Sequence, residues 1–389
     1  MKSLLALSFV FVSLSAFAER WDENNHPNHF NKITGTPTIS KFNLLPLSGK
    51  LDDERLGWSE TYWPANKGGI AFRWNHPDPM PFAYDFHTKE QLASMSIKDL
   101  EKLSPSELYD IAQGDYTYTL TRRTLRSFTP QDLWWEGICH GWAQAAANYP
   151  EPNQVIVRNP DGIRVPFGSS DVKGLLAMHD AYNSKGIYTH VGGRCSAPGK
   201  VPGEGSSRDA NVSMPSEEQA ESIACRDVNA GSFHIVMANM IGIQSISLVA
   251  DVDRFNDVWN QPVTGYDSRF IEDLPVEDTH AAYGVARRMR MEMKMTYGEE
   301  LQFKNPAAVA RGEDNFVSKL PVTRTQHQEF RSKNYEYILE LDSNDNIIGG
   351  EWISITRPDF LWTKVRDTKF LNSPMPLAGL SKIYKPVRY

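Results

Sequence analysis

The sequence lacks long apolar runs, clusters of basic residues and internal repeats. Its longest apolar stretch, at the N-terminus, is too short to cross a bilayer, so no membrane span is predicted. With 41 Lys and Arg against 48 Asp and Glu, the formal net charge is −7. An acidic chain without basic patches argues against nucleic acid as a partner. The 40% of hydrophobic residues and 11% of aromatic residues are ordinary for a globular protein and exclude a disordered or collagen-like chain.

The N-terminal apolar stretch has the three parts of a cleavable signal peptide. Lys2 supplies the positive start, residues 4–14 the apolar centre, and Ala16-Phe17-Ala18 a small-residue cleavage site. We therefore expect cleavage after Ala18 and a mature protein that is secreted or periplasmic.

Cysteine is scarce, with three residues in 389. In an exported protein an odd number predicts one disulfide and one free thiol. Cys195 and Cys225 flank a loop rich in Gly, Ser and Pro and are the expected pair. Closing that loop would stabilise the fold by roughly 3–4 kcal/mol in the chain-entropy account. Cys139 is then the free thiol.

The sequence around Cys139 predicts a nucleophile at the start of a helix. Two tryptophans and Gly137 precede the cysteine, and an alanine-rich run follows until Pro150, which cannot continue a helix. The free N–H groups and partial positive charge of a helix N-terminus favour a thiolate and can hold an oxyanion beside the sulfur. A buried structural cysteine is the alternative, but glycine and histidine neighbours are unusual for a core position.

A second stretch predicts the partners of that thiol. Residues 232–241 are interpreted as a buried strand, Gly242-Ile243 as a two-residue turn, and residues 244–251 as the returning strand. This register places His234 directly opposite Asp251, as base and orienter of a Cys-His-Asp triad. A register changed by one residue would make Asp253 the closer acid.

Several tryptophan-rich motifs resemble the transglutaminase elicitor family, which comprises oomycete elicitors and their bacterial relatives. The resemblance covers roughly residues 50–365. The matching motifs are Trp58 to Pro64, Gly137 to Trp142, Phe233-His234, Val258 to Tyr266, Ile348 to Trp352 and Pro358 to Trp362. The stretch from Val258 to Tyr266 is similar to the surface peptide of the oomycete proteins, but Thr264 and Asp267 replace basic residues, which puts plant-immune recognition in doubt.

The resemblance implies an α+β protein with a papain-like or transglutaminase-like cysteine core, in which the nucleophile helix packs on an antiparallel sheet. It assigns Cys139 as nucleophile and His234 as base by motif, and Asp251 by its position after the following strand. The division expected is a signal peptide at 1–18, an N-terminal extension and accessory layer at 19–125, and a catalytic region at 126–389.

The implied activity is secreted protein-glutamine γ-glutamyl transfer, which cross-links or deamidates protein glutamine through a thioester. The implied partners are proteins with accessible glutamine and lysine, or polyamines. The acidic turn at Asp342 to Asn346, between strands expected at 335–341 and 347–355, makes calcium a possible cofactor, although Asp and Asn are also ordinary turn residues. Two alternatives are a papain-like cysteine protease and a secreted elicitor or binding protein with vestigial catalysis.

Overall fold

The protein is described by a computed structural model over residues 21–55, 57–73, 82, 85–133, 135–193, 227–252, 258–277, 281–300 and 330–387. The predicted signal peptide, the predicted bridge between Cys195 and Cys225, Trp134 and Asp253 all lie outside the described residues.

Short helices dominate the first half of the chain. The α-helices are α1 (Asn31–Thr34), α2 (Lys89–Ser94), α3 (Ile97–Leu100), α4 (Pro105–Gln113), α5 (Thr119–Ser127), α6 (Cys139–Asn148), α7 (Ser169–Ala181), α8 (Ala230–Met237) and α9 (Leu380–Ile383). Single turns of 3₁₀ helix lie at Glu23–Asn25, Pro27–Phe30, Phe42–Leu44, Asp53–Arg55, Ala65–Lys67 and Gly69–Ala71. In the part of the chain described, no helix is long and apolar enough to span a membrane.

The strands form one large antiparallel sheet and a small hairpin. They are β1 (Ser48–Lys50), β2 (Val155–Arg158), β3 (Arg164–Phe167), β4 (Tyr188–Gly192), β5 (Leu248–Asp251), β6 (Asn260–Leu274), β7 (Arg287–Gly298), β8 (Phe330–Leu341), β9 (Ile347–Trp352) and β10 (Phe360–Lys364). The sheet order is β4-β10-β5-β6-β7-β8-β9, with β1 also paired to β6, and β2 pairs with β3 alone. The mixed helix and antiparallel-sheet class expected from the sequence is confirmed.

Two buried clusters hold these elements together. The first lies among the helices before and around α6 and α7 and includes Leu108, Leu120, Trp142 and Leu175. The second lies between α8 and the long strands of the sheet, where methionines alternate with polar residues along β7. The alternation of methionines with basic residues from Arg287 to Met295 predicts a two-faced strand, and β7 confirms this prediction.

The sequence Ser104-Pro105-Ser106-Glu107 predicts a capped helix start, Asn159-Pro160-Asp161-Gly162 predicts a hairpin turn, and the structure confirms both. Ser104 caps α4, with Pro105 at the first helical position and Glu107 reaching back to the cap. Strands β2 and β3 pair across the Asn159-to-Gly162 turn, and β8 and β9 pair across the acidic turn at Asp342 to Asn346.

The predicted hairpin at 232–251 is wrong. Residues 230–237 are helix α8, which continues as a π-helix over Ala238–Ile243, and only Leu248–Asp251 is a strand. The side chain of Asn229 caps α8 by accepting from the N–H groups of Gly231 and Ser232. A continuous apolar run does not distinguish a buried helix from a buried strand. Here the capping residue before the run is the local signal for a helix.

Gly242 serves close packing rather than a hairpin turn. A Cβ atom at this position would lie 2.5 Å from the Pro46 ring and 2.5 Å from the Tyr266 hydroxyl. The glycine therefore reflects the approach of the π-helix to β6, and it carries no information about strand register.

The stretch that resembles the oomycete surface peptide is buried here. From Asn260 onward it forms the start of β6, which pairs with β5 and β7 on its two sides. Trp259 is 8% exposed and Tyr266 4%. From Asn260 to Tyr266 the segment is therefore a buried strand of the sheet and not an exposed surface peptide.

Candidate active site

Cys139 is the first residue of helix α6, as the sequence predicts. The residue before it, Ile138, donates its N–H to the Tyr62 carbonyl at 2.8 Å, which anchors the helix start. A Cβ at Gly137 would lie 2.4 Å from the Tyr62 carbonyl oxygen, and one at Gly141 would lie 2.1 Å from that of Ala177. Both glycines are therefore required by close backbone approach, and they fix where the thiol is presented.

Two tryptophans hold helix α6 in place through hydrogen bonds of their indole groups. Trp142 is fully buried and donates its indole N–H to the Trp58 carbonyl at 3.1 Å. Trp58 in turn donates to the carbonyl of Tyr149, at the end of the same helix, at 2.9 Å. Two indole hydrogen bonds thus tie the Trp58-to-Pro64 motif to both ends of α6. Trp142 is a packing residue and does not line the cleft.

The sulfur of Cys139 lies between one hydrogen-bond acceptor and two donors. The Val258 carbonyl oxygen is 4.0 Å from the sulfur, a contact in which the thiol donates. The Asn260 side-chain amide approaches it at 3.9 Å and the His140 backbone N–H also bonds to it. The residue is partly exposed towards a cleft, while the packing around its sulfur is dense.

The thiol is not poised as a thiolate, contrary to the expectation from the helix terminus. Burial, followed by the negative charge of Glu300, raises the pKa of Cys139 to about 12; the hydrogen bond from Asn260 opposes this rise, and Asp251 adds to it. Desolvation of the sulfur and two nearby carboxylates thus favour the neutral thiol.

Asp251 is part of the Cys139 neighbourhood, but its strand partner differs from the predicted one. It is fully buried at the end of β5 and pairs across the sheet with Asn260. Its Oδ1 accepts the backbone N–H of Trp259 at 2.9 Å. Asn260 also contacts the sulfur of Cys139, so it lies between Asp251 and the thiol.

His234 lies elsewhere. It sits in α8 with no exposed surface; its Nδ1 is 2.7 Å from the Tyr337 hydroxyl and its ring stands 5.9 Å from that of Phe42. Over the described residues its Nε2 has no hydrogen-bond partner, so the structure links it to neither Cys139 nor Asp251. Burial lowers the pKa of His234 to about 4, which keeps the ring neutral near pH 7.

The histidine next to the nucleophile, His140, is bonded to a different element. The ring of His140 bonds to the backbone of Ala181 in α7, and burial, followed by the charge of Lys364, lowers its pKa to about 4. Neither described histidine near the motif residues is therefore an imidazolium that could pair with a thiolate.

A cleft of about 520 Å³ opens at the thiol. Its lining residues are Ala65, Ser127, Phe128, Asp132, Trp135, Glu136, Gly137, Cys139, His140, Val258 and Asn260. The indole nitrogen of Trp135 is buried and has no hydrogen-bond partner among the residues described. A buried N–H donor that lacks an acceptor beside a nucleophile is suited to a ligand oxygen.

No metal centre emerges from the described residues, among which no group of three or more His, Cys, Asp or Glu is arranged to hold an ion. At the acidic turn, Asp342 accepts the backbone N–H groups of Asn344 and Asn346. These are the bonds of an ordinary Asx-type turn, which accounts for the residue without calcium.

Sequence reasoning missed Asn260 and Trp362. Trp362 on β10 donates its indole N–H to the Asn260 side-chain oxygen at 2.7 Å, and the two residues are 102 positions apart in the chain. Both fall inside motifs quoted above, but nothing in their spacing indicates that they meet at the thiol.

Comparison with known proteins identifies the family and the fold. A family model described as "Transglutaminase elicitor" matches residues 28–381. Among solved structures, the GP42 transglutaminase from Phytophthora sojae is similar, with a TM-score of 0.60, 19% sequence identity, and coverage of 92% of this chain and 96% of that chain. A search of curated proteins finds no match. At this identity the structural likeness supports a shared fold.

Proposed function

Because the chain belongs to the transglutaminase elicitor family, we propose that it is an exported protein-glutamine γ-glutamyltransferase with a papain-like catalytic core. The observation that carries the proposal is the placement of Cys139, a thiol on the first residue of a ten-residue helix that lines a cleft. Trp135 lines the same cleft, and its buried indole N–H has no partner among the described residues. A nucleophile and an oxyanion donor that line the same cleft suit acyl transfer.

In the proposed reaction the Cys139 sulfur attacks the side-chain carboxamide of a protein glutamine. The tetrahedral oxyanion would accept from the Cys139 backbone N–H and from the Trp135 indole N–H. Collapse breaks the C–N bond, the nitrogen leaves as ammonia after protonation, and a thioester remains. A lysine amine or a polyamine then attacks the thioester and restores the thiol; attack by water gives deamidation instead.

The thiol proton needs an acceptor, and the site favours Asp251 over His234. Asp251 acts electrostatically on the thiol, whereas His234 is sealed in the second buried cluster and bonded to Tyr337. A carboxylate is a weak base for a thiol whose pKa is about 12. Because so weak a base cannot form a thiolate in advance, we propose that the proton transfer and the attack occur in one step. Asp251 takes the proton as the C–S bond forms and gives it to the departing nitrogen. The assignment of His234 as base rests on the motif alone and stays a prediction.

The sequence-based predictions for the remaining chain stay part of this proposal. They are export after cleavage at Ala18, a bridge between Cys195 and Cys225, and the division of the mature chain near residue 125. A non-reducing peptide map of secreted protein would test the first two together, since a bridge that includes Cys139 would contradict the assignment of a free nucleophile.

A cysteine protease is the rival activity, because the same nucleophile attacks a peptide bond when the cleft admits one. The deciding experiment incubates the protein with a glutamine peptide and hydroxylamine and measures ammonia and hydroxamate, with casein cleavage followed in parallel. We expect hydroxamate and no cleavage. Cleavage without hydroxamate would identify a protease.

The matched variants are Cys139→Ala and Cys139→Ser. Each should lose acyl transfer by roughly 10³-fold or more, because the nucleophile acts with its partners as a unit. Thermal unfolding should match that of the wild type. A folded wild-type protein that gives neither product would favour the elicitor or binding alternative.

A further inference from the structure

Asn260 occupies a position that its neighbours determine closely. It is the first residue of β6 and is 4% exposed. Its side-chain nitrogen is 3.9 Å from the Cys139 sulfur and its side-chain oxygen is 2.7 Å from the Trp362 indole nitrogen. The amide therefore bridges the nucleophile and a tryptophan that is itself 5% exposed.

The indole fixes which end of the amide faces the sulfur. An indole N–H can donate but cannot accept, so it selects the oxygen of the Asn260 amide. The NH₂ group must then point at Cys139. The strands reinforce this orientation, because β5 pairs with β6 on one side and with β10, which carries Trp362, on the other.

The sulfur needs such a donor as it gains negative charge. The Val258 carbonyl, which accepts from the neutral thiol, would repel a thiolate, and Glu300 and Asp251 add negative charge nearby. Against these stand the Asn260 amide and the His140 backbone N–H. A hydrogen bond to an ionised partner is roughly twice as strong as one between neutral groups, so the Asn260 contact strengthens along the reaction.

We propose that Asn260 is a catalytic residue that donates an N–H to the Cys139 sulfur as it becomes nucleophilic, and that Trp362 is the positioning residue that holds the amide for this task. This inference rests on the proposed role of Cys139 as nucleophile. It does not depend on the identity of the acyl acceptor.

Alkylation of Cys139 by iodoacetamide, followed by mass spectrometry of its peptide between pH 6 and pH 11, tests the proposal without a glutamine substrate. In Asn260→Asp, which keeps the size of the side chain, we expect alkylation at pH 9 to fall by roughly tenfold and the profile to move to higher pH by about one unit. Trp362→Phe should shift the profile in the same direction by a smaller amount.

Trp352→Phe is the matched control. Trp352 donates an equally short indole hydrogen bond, 2.7 Å to the Val228 carbonyl, but does not contact the thiol. Its alkylation profile should coincide with the wild type even if its thermal stability falls. Loss of stability in the other variants without a shifted profile would therefore mark a purely structural role.

An unchanged profile in folded Asn260→Asp would overturn the proposal. If Asn260→Asp does not fold, the test rests on Trp362→Phe. An alkylation profile of Trp362→Phe identical to that of the wild type would then overturn the proposal. Failure of the transferase proposal looks different: the wild type would form no hydroxamate, while the alkylation profiles would still separate the variants.

Discussion

Cys139 begins helix α6 and His234 lies in the last turn of helix α8; both helices pack on the same sheet, but the surroundings of the two residues differ. α6 presents Cys139 to an open cleft, because Gly137 and Gly141 allow the chain to approach its neighbours there. α8 turns His234 into the second buried cluster, against Tyr337 and Phe42. Two residues of equally suggestive motifs thus differ in access to a substrate, which the motif does not specify.

The largest expected difference is between the effects of replacing Cys139 and His234 by alanine: the first should remove activity and the second should lower stability. Cys139→Ala should abolish hydroxamate formation and leave stability unchanged. His234→Ala should cost about 2–4 kcal/mol of unfolding free energy, because it opens a cavity and leaves the Tyr337 hydroxyl without its buried partner. The measurement is urea unfolding, with activity expressed per folded molecule.

Tyr337→Phe is the matched control for His234, since it removes the same hydrogen bond from the other side. It should lower stability and keep activity. A His234→Ala protein that is folded but as inactive as Cys139→Ala would instead restore His234 to the triad, and would require α8 to leave its present packing during the reaction.

The next expected difference is in how the stability of the folded protein depends on pH. Burial lowers the pKa of His234 from its ordinary value of 6.5 to about 4, so the folded state binds fewer protons there than the unfolded state. The stability from keeping this ring neutral is full above pH 6.5 and is lost as the pH falls towards 4. Replacing the residue by glutamine should therefore make unfolding less sensitive to acid.

Between pH 7 and pH 5 we expect His234→Gln to lose about 2 kcal/mol less unfolding free energy than the wild type. His140, whose pKa is also lowered to about 4, should contribute a second acid-sensitive step that persists in this variant. Parallel losses in both proteins would show that His234 titrates normally in the fold.

The contrast between Cys139 and His234 also shows which features could be predicted from the sequence. The nucleophile helix, the β2–β3 and β8–β9 hairpins and the alternating strand β7 were predicted because each has a local signal: a cap, a turn or a period. The register of His234 against Asp251 failed because a buried apolar run has no period, and because Gly242 is required by packing. Tertiary contact overrode the local pattern there.

The acidic environment of the thiol could not be predicted either. Glu300, Asp251 and Asn260 converge on Cys139 from strands β5 and β6 and from the segment after β7, at sequence distances for which a single sequence offers no rule. The helix terminus alone predicted a lowered thiol pKa. Only the packing shows that desolvation and carboxylates reverse the direction.

The smallest expected effect concerns the amine that enters the cleft. Asp132 and Glu136 line it, and among its described lining residues there is no Lys or Arg. Asp132 is occupied, because its two oxygens accept from the N–H and hydroxyl of Thr129 at 2.7 and 2.9 Å. Among the residues that the structure describes, Glu136 accepts one hydrogen bond, from the Leu133 N–H at 3.2 Å, and it lies three residues before the nucleophile. Its carboxylate is therefore the one suited to a cationic lysine or polyamine.

Glu136→Gln should raise the KM for a cationic diamine by about fivefold, the effect of a partly exposed ion pair, and leave the KM for hydroxylamine, which is neutral at pH 7, unchanged. Asp132→Asn is the control, since its carboxylate already serves the loop, and it should affect both acceptors alike through the shape of the cleft. The comparison is best made at low salt, because a screened ion pair would shrink the difference. Equal effects of Glu136→Gln on charged and neutral acceptors would show that the cleft does not recognise the charge of the amine.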